Sequence, residues 1–472
     1  MRMTKKILSL AWLVTVALVA ILPLRTRGSA SLPCSVRQNW PWDAKVFIDV
    51  TMPAGTNDLQ VMASFNNNGA HHEIELTSGN GLSGSPYCMT GGTYRLTWNP
   101  MAAGYTGAIT DLNISTATAT ADERAWLVID VATGAHEYVA LGDEPKDANG
   151  KPWQDSTYKN AKMVFRRIPA GTFTRGYTTA EKNYIKSLDA QLGATSSSRM
   201  LTAAETTLTS DFYITVYQVT RGQIARVVNA STNWNSATPD AGNVVPSGHV
   251  CFLRGSNSVE GVNWPLTKFA VTANSIIGQF RTRCGNKFWI DLPTCAQWQR
   301  AARPDTQWLF YDTSSYPGGM AGGTVNDTLE IFTNIVARIS DGYRRKYGGG
   351  GGLYSPPGTV GTYLPNAYGL YDLVGSRQEL LLDQWDSTEN ATASAGVDPV
   401  GLSANSNTRM VNNSFSNLGT ISNWSIAFAG TLNSDYYHNP DHANCYRYVI
   451  HLNPPQSFGG KWVNEESEGG AQ

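Results

Sequence analysis

Chemistry in this chain is concentrated in its C-terminal third. Glu379, Asp383 and Asp386 set three carboxylates at i, i+4 and i+7. On a helix they share one face; a loop is the equal alternative. Further on, His438, Asp441, His442 and Cys445 form a His-x3-His-x2-Cys cluster, and imidazole and thiolate are both ligands of tetrahedral zinc. Asn439 and Pro440 interrupt the helix that would make these groups converge. The alternative is a polar loop whose Cys445 is buried or disulfide-bonded.

The same region carries recognition chemistry. Residues 403–455 contain no Lys, Glu or Gln, yet are crowded with Asn, Ser, Tyr, His and Asp. Tyr offers rigid amphipathic area and Asn adaptable hydrogen bonds, which makes Asn423, Tyr436, Tyr437, His438 and His442 the candidate ligand-binding residues. Ordinary loop composition in a charge-poor protein is the plain alternative. The glycine run 348–352 is followed by no Lys-Ser/Thr, so it is no phosphate-cradling loop.

Two kinds of element must position these residues. From 34 to 141 the pattern has period two: Val46, Ile48, Val50 and Met52 line one face, residues 94–98 form a second strand and 126–131 a third. Asn66-Asn67-Asn68-Gly69 and Gly91-Gly92 supply turns. We read an all-β sandwich domain here, with 142–160, broken by Pro145, Asn149-Gly150 and Pro152, as a linker that Trp153 and Tyr158 pin to a neighbour. From 161 to 455 the chain reads as a loop-rich α+β domain with three short helices. Thr220 with Gln223 and Thr294 with Gln297 fit capping boxes, and Phe269, Ala273, Ile276, Ile277 and Phe280 recur at helical spacing. Residues 456–472 are a polar tail.

Composition narrows the setting. The 472 residues are 41% hydrophobic and 10% aromatic, which excludes a disordered chain, and only 15% are charged against about 25% in ordinary soluble domains. With 36 basic and 37 acidic residues, and no basic stripe, no nucleic-acid partner is expected. Lys5 and Lys6 precede an apolar run at 7–24, with Gly28, Ser29 and Ala30 behind it. This is an export signal over residues 1–30, and a membrane is engaged only if that segment stays uncleaved. The protein is then secreted or held in the cell envelope. Six dispersed cysteines without any C-x-x-C pair argue against zinc ribbons and are compatible with disulfides; Cys34 with Cys88 is the expected bridge because both lie in one domain.

Four blocks then carry a family resemblance. Ile168-Pro169-Ala170-Gly171-Thr172-Phe173 with Gly176 resembles the opening strand of the sulfatase-modifying-factor family, the formylglycine-generating enzymes and their relatives. Asp211-Phe212-Tyr213-Ile214 with Tyr217-Gln218-Val219-Thr220 looks like its next element. Leu292-Pro293-Thr294 with Ala296, Trp298 and Ala301-Ala302-Arg303 is similar to its L-P-T-E-A-E-W helix. The stretch from Val360 through Pro365-Asn366-Ala367-Tyr368-Gly369-Leu370-Tyr371-Asp372 to Gly375 is close to its P-N-x-x-G-L-Y-D-M-x-G signature. The resemblance implies a C-type-lectin-like fold, and the β-domain ahead of it looks like the companion domain of exported bacterial members.

The departures bear on function. Where the family continues G-N-V-W-E-W, this chain has Gly375-Ser376-Arg377-Gln378-Glu379-Leu380. The R-G-G-S-W segment aligns on Val411-Asn412-Asn413-Ser414-Phe415, and the terminal G-F-R on Cys445-Tyr446-Arg447. The family's oxidising members carry a copper-binding cysteine pair shortly after R-G-G-S-W; between Ser414 and Gly430 this chain has none. Thiolate is the soft ligand that selects Cu(I), so copper is not expected. The resemblance also implies a calcium site at Glu379 and Ser376, with Ser376 shorter than the family's Asn. The leading expectation is a non-catalytic relative that binds an extracellular or periplasmic protein or glycan. The rivals are an oxidoreductase acting on a sulfatase or similar substrate through a non-standard metal site, and a structural cell-surface module.

Overall fold

The computed structural model describes residues 30–38, 45–77, 80–191, 200–227, 276–303, 359–362, 365–373, 378–384, 396–400, 409–412, 429–432 and 444–452. The export signal, the glycine run, Asp386, residues 269–275 and the polar tail lie outside them.

The first unit is two four-stranded antiparallel sheets. One runs in the order Ser31–Leu32, Ile109–Ala119, Asp58–Asn67, Ala70–Glu75, the other Cys34–Gln38, Val46–Met52, Gly92–Trp98, Leu82–Ser83. The period-two pattern forces this arrangement: Val46, Ile48, Val50 and Met52 are buried with Leu59, Val61, Ala63, Phe65, Leu96 and Trp98 in one shared core. Asn68 and Gly69 both take positive φ (52° and 80°) between the paired Asn67 and Ala70. That is the two-residue hairpin turn whose twist matches its strands.

Two expectations about this unit need correction. The strand Trp126–Asp130 belongs to the next sheet, where it pairs with His136–Val139 and Lys162–Ile168. Its four leading residues, Trp126 to Ile129, are all buried, so it needs cover on both faces, which an outer strand of the first unit could not supply. Cys34 and Cys88 form no bridge. The Cys34 thiol faces the Ile114 carbonyl at 3.8 Å, while Cys88 Sγ sits 3.1 Å from the Arg167 guanidinium.

The second unit is built on a six-stranded antiparallel sheet in the order His136–Val139, Trp126–Asp130, Lys162–Ile168, Phe212–Thr215, Val449–His451, Ile290–Asp291. Alternating side chains send Trp126, Val128, Val164, Ile168 and Ile214 into one core. Leu127, Ile129, Met163, Phe165 and Tyr213 go into another. Because Phe212–Thr215 pairs with Val449–His451, the end of the described chain closes onto its middle. Two smaller sheets flank this one: Gly171–Arg175, Ala204–Leu208, Gly396–Val397, and Ala429–Leu432, Arg409–Asn412, Gln378–Gln384, Asn444–Tyr446.

Both expected capping boxes are present. Thr220 and Gln223 exchange bonds of 3.0 and 3.2 Å ahead of Arg221–Val227. Thr294 and Gln297 do so at 3.0 and 3.1 Å ahead of Cys295–Ala302. A third box was legible and missed: Thr178 and Glu181 bond reciprocally at 2.7 and 3.2 Å and open the helix Thr179–Gln191. Segment 142–160 is tied down, as its aromatic residues suggested. Trp153 is buried and meets Trp126 and Tyr158 edge-on at 5.5 and 4.9 Å, and its carbonyl accepts from Tyr217 Oη at 2.9 Å.

Replacing Thr294 with Ala removes the acceptor for the Gln297 amide on a helix that is buried throughout. We expect a loss of about 1 kcal/mol, read as a lower urea midpoint with an unchanged slope.

Candidate functional site

The strand Gln378–Gln384 delivers Glu379, Leu380, Leu381, Leu382 and Asp383 to the interior. It pairs with Arg409–Asn412 on one edge and runs parallel to Asn444–Tyr446 on the other, with Glu379 opposite Cys445. The carboxylate pair Glu379 and Asp383 therefore stands on a strand, which corrects the helix-or-loop reading. Spacing alone misled because i and i+4 share a face in either element.

Glu379 and Arg447 are both fully buried and paired: Arg447 Nε lies 3.0 Å from each Glu379 oxygen. Trp298 Nε1 donates to Oε2 at 2.6 Å and Gln218 Nε2 to Oε1 at 2.9 Å. Arg447 Nη1 donates to the carbonyls of Thr215 and Val216 at 3.1 and 2.8 Å, and Nη2 to that of Tyr371. Three of the four family-like blocks thus meet here with the terminal Arg447: the stretch from Thr215 to Gln218, the capped helix with Trp298, and the Tyr371 stretch.

This geometry bears on calcium at Glu379. Ca²⁺ needs six to eight oxygen ligands, whereas both Glu379 oxygens already face N–H donors, one of them on a guanidinium. A second cation there would be repelled by Arg447, so the residues do not fit calcium. Glu379 takes the other role open to it, pairing inside the fold. Ser376 lies outside the described residues, as do Asn423, Tyr436, Tyr437, His438 and His442. Among the described residues no three His, Cys, Asp or Glu side chains are grouped to hold a metal ion.

The signature stretch 365–372 explains itself residue by residue. Asn366 Oδ1 accepts from the amides of Tyr368 and Leu370 at 3.1 and 3.0 Å, and its Nδ2 donates to the Ala301 carbonyl at the helix end at 2.7 Å. Gly369 has φ +81°, and a Cβ there would stand 2.7 Å from the Trp126 ring. Asp372 also takes a positive φ of 57°, which Asp tolerates better than bulkier residues. Its carboxylate accepts from the Gly361 amide at 2.7 Å, and burial raises its pKa above the ordinary value against the pull of that bond and of Arg447.

Three further polar groups complete the interior. Asp383 Oδ2 accepts from the Cys295 amide at 2.6 Å at the start of the helix, and Gln299 Nε2 lies 3.5 Å from Cys295 Sγ. Gln297 Nε2 is 3.1 Å from His451 Nδ1. Burial pushes the His451 imidazole down to about 3, so it is neutral at pH 7 and unsuited to proton transfer there. Sequence reasoning missed Asp383 as a helix anchor and His451 as a core group. Reading 378–384 as a strand would have found the first; no local pattern marks the second.

Residues 149–417 match the family described as "Sulfatase-modifying factor enzyme 1-like domain". Among solved structures, PvdO from Pseudomonas aeruginosa is 15% identical, with 61% of this chain and 94% of that one covered at a TM-score of 0.38. Treponema denticola variable protein 1 is 15% identical over 61% and 95%, at 0.37. CarF is 14% identical over 60% and 96%, at 0.28. No curated protein matches the chain in sequence.

Removing one partner of a buried pair leaves the other charge uncompensated, at about 3–5 kcal/mol. Arg447→Met is expected to cost that much in urea unfolding, and Glu379→Gln less, since the amide oxygen still accepts from Trp298. In the double variant the two costs should fall short of their sum by about 0.5–3 kcal/mol; strict additivity would show the pair to be uncoupled.

Proposed function

Because the chain belongs to the sulfatase-modifying factor enzyme 1-like domain family, we propose that it is an exported, non-catalytic member that binds a protein or glycan ligand. One observation carries this reading: no cysteine occurs between Ser414 and Gly430, where the oxidising relatives resemble one another in placing their copper ligands. Without thiolates at that position Cu(I) loses its preferred soft ligands, and the oxygen chemistry loses its centre. The interior supports the same conclusion. Glu379, Arg447, Trp298 and Gln218 saturate one another, which is the geometry of a clamp that holds a frame, with no open ligand position.

The binding residues on this reading come from the Asn-, Tyr- and His-rich stretch that includes Asn423, Tyr436, Tyr437, His438 and His442, within a C-type-lectin-like domain preceded by a β-sandwich. The export signal puts them outside the cytoplasm or in the envelope. Among the described residues no helix is long and apolar enough to cross a membrane; residues 1–29 are not among them.

The second reading, an oxidoreductase with a non-standard metal centre, is favoured by His438, His442 and Cys445, whose side-chain types suit zinc or copper. One experiment separates the two. The full-length protein is loaded with Cu(I) or Zn²⁺, and incubated with oxygen and a cysteine-containing sulfatase-motif peptide. Metal content and peptide mass are then measured. The binding reading expects no stoichiometric metal and no aldehyde product. A bound metal lost on His438→Ala or Cys445→Ala, with oxidised peptide, would overturn it. On glycan and envelope-protein arrays, Tyr436→Ala combined with Tyr437→Ala should weaken a captured ligand by about tenfold or more, the cost of losing buried aromatic anchors.

A further inference from the structure

The two units meet across a buried group of charges whose signs do not balance. Asp58, at the start of its strand, and Glu75, at the end of the edge strand, come from the first unit. Arg124, just ahead of Trp126, and Arg167 and Asp211 come from the second. Arg167 grips Asp58 with both terminal nitrogens, one at 2.8 Å, and its Nε is 2.8 Å from Asp211. Asp211 is also satisfied by the Ala170 amide at 2.8 Å, and Asp58 by the Cys88 amide at 3.1 Å. Arg124 is left to serve two carboxylates at longer range, Glu75 at 3.6 Å and Asp58 at 4.0 Å, while it lies over the Tyr138 ring at 4.7 Å. Three carboxylates therefore share two guanidiniums, and Glu75 has the weakest share.

We propose that this junction is a proton-operated clamp, in which Glu75 takes up a proton as the medium acidifies and the first unit then holds the second more tightly. The other groups facing Glu75 are Lys287, half-buried and beyond ion-pair distance, Gln60, Asp58, and the phenols of Tyr87 and Tyr138. Burial raises the Glu75 carboxyl above its ordinary value of 4.5, aided by Asp58 and opposed by Arg124, Lys287 and Gln60. When the units separate, Glu75 returns to water and to that ordinary value. The docked form therefore binds the proton more readily. Docking is strongest below 4.5 and weakens as pH climbs from there through the raised value, by at most about tenfold per pH unit for one proton.

Two histidines titrate in the opposite sense. Burial lowers His136, beside Lys287 and Arg124, and His451 in the core, so both favour unfolding as pH falls below 6.5. The readout must therefore be local and compared with a variant. Amide hydrogen exchange of the full chain, corrected for the intrinsic rate, is followed on strands 58–67 and 162–168 between pH 8 and pH 5. The histidine effect is common to the unsubstituted protein and Glu75→Gln, so the ratio of junction protection in the former to that in the latter is expected to rise toward acid, by up to about tenfold per pH unit. Glu75→Gln itself should show only the histidine-driven fall. Equal slopes in the two proteins, or protection that falls toward acid in both to the same extent, would overturn the clamp. Should Glu75→Gln fail to fold, carboxyl NMR titration of Glu75 in the unsubstituted protein decides: a midpoint above 4.5 supports the clamp, and one at or below 4.5 overturns it.

Discussion

The pairing of Glu379 with Arg447 is the constraint on which the second unit depends. A charge taken out of water costs several kcal/mol unless its partners are complete, and here completion requires five separate stretches of chain. The carboxylate needs Trp298 and Gln218; the guanidinium needs the carbonyls of Thr215, Val216 and Tyr371. None of these stretches can shift without leaving a buried charge short of a partner. Total stabilities of domains are only about 5–15 kcal/mol, so the pair acts as a specification of the arrangement more than as a source of net stability.

That demand ties together described stretches that lie far apart in sequence. The six-stranded sheet supplies apolar cover on both faces, but its strands are short and its connections long. The polar groups of the loops are then satisfied locally, as when Asn366 closes its own turn and reaches the helix that carries Trp298. Glycines are placed where backbone or ring approaches too closely for a Cβ, as Gly369 does at Trp126. The first unit is different in kind. Its hydrophobic alternation alone makes two sheets with one core, and its buried carboxylates Asp58 and Glu75 belong to the charge group it shares with Arg124 and Arg167.

Frame and chemistry separate cleanly in this family member. The residues that build the frame are retained: Trp298, Asn366, Gly369, Tyr371, Asp372, Glu379 and Arg447 all make the contacts just described. No cysteine occurs between Ser414 and Gly430. A function follows from a site and not from a fold, so the intact frame by itself assigns no activity.

Much of this was legible in the residues. Period two marks the sheets of the first unit; Thr220, Thr294 and Thr178 announce their helices, because a capping box is a local exchange between neighbours. The family signature and the missing cysteine pair needed no coordinates at all. What only the tertiary structure decided was everything set by partners distant in sequence. Trp126–Asp130 joined the second sheet and not the first, Cys34 and Cys88 stayed apart, and Glu379 met Arg447. The physical reason is common to all three. Local pattern states which side chains must leave water, but the identity of the group that receives them is chosen by packing across the whole chain.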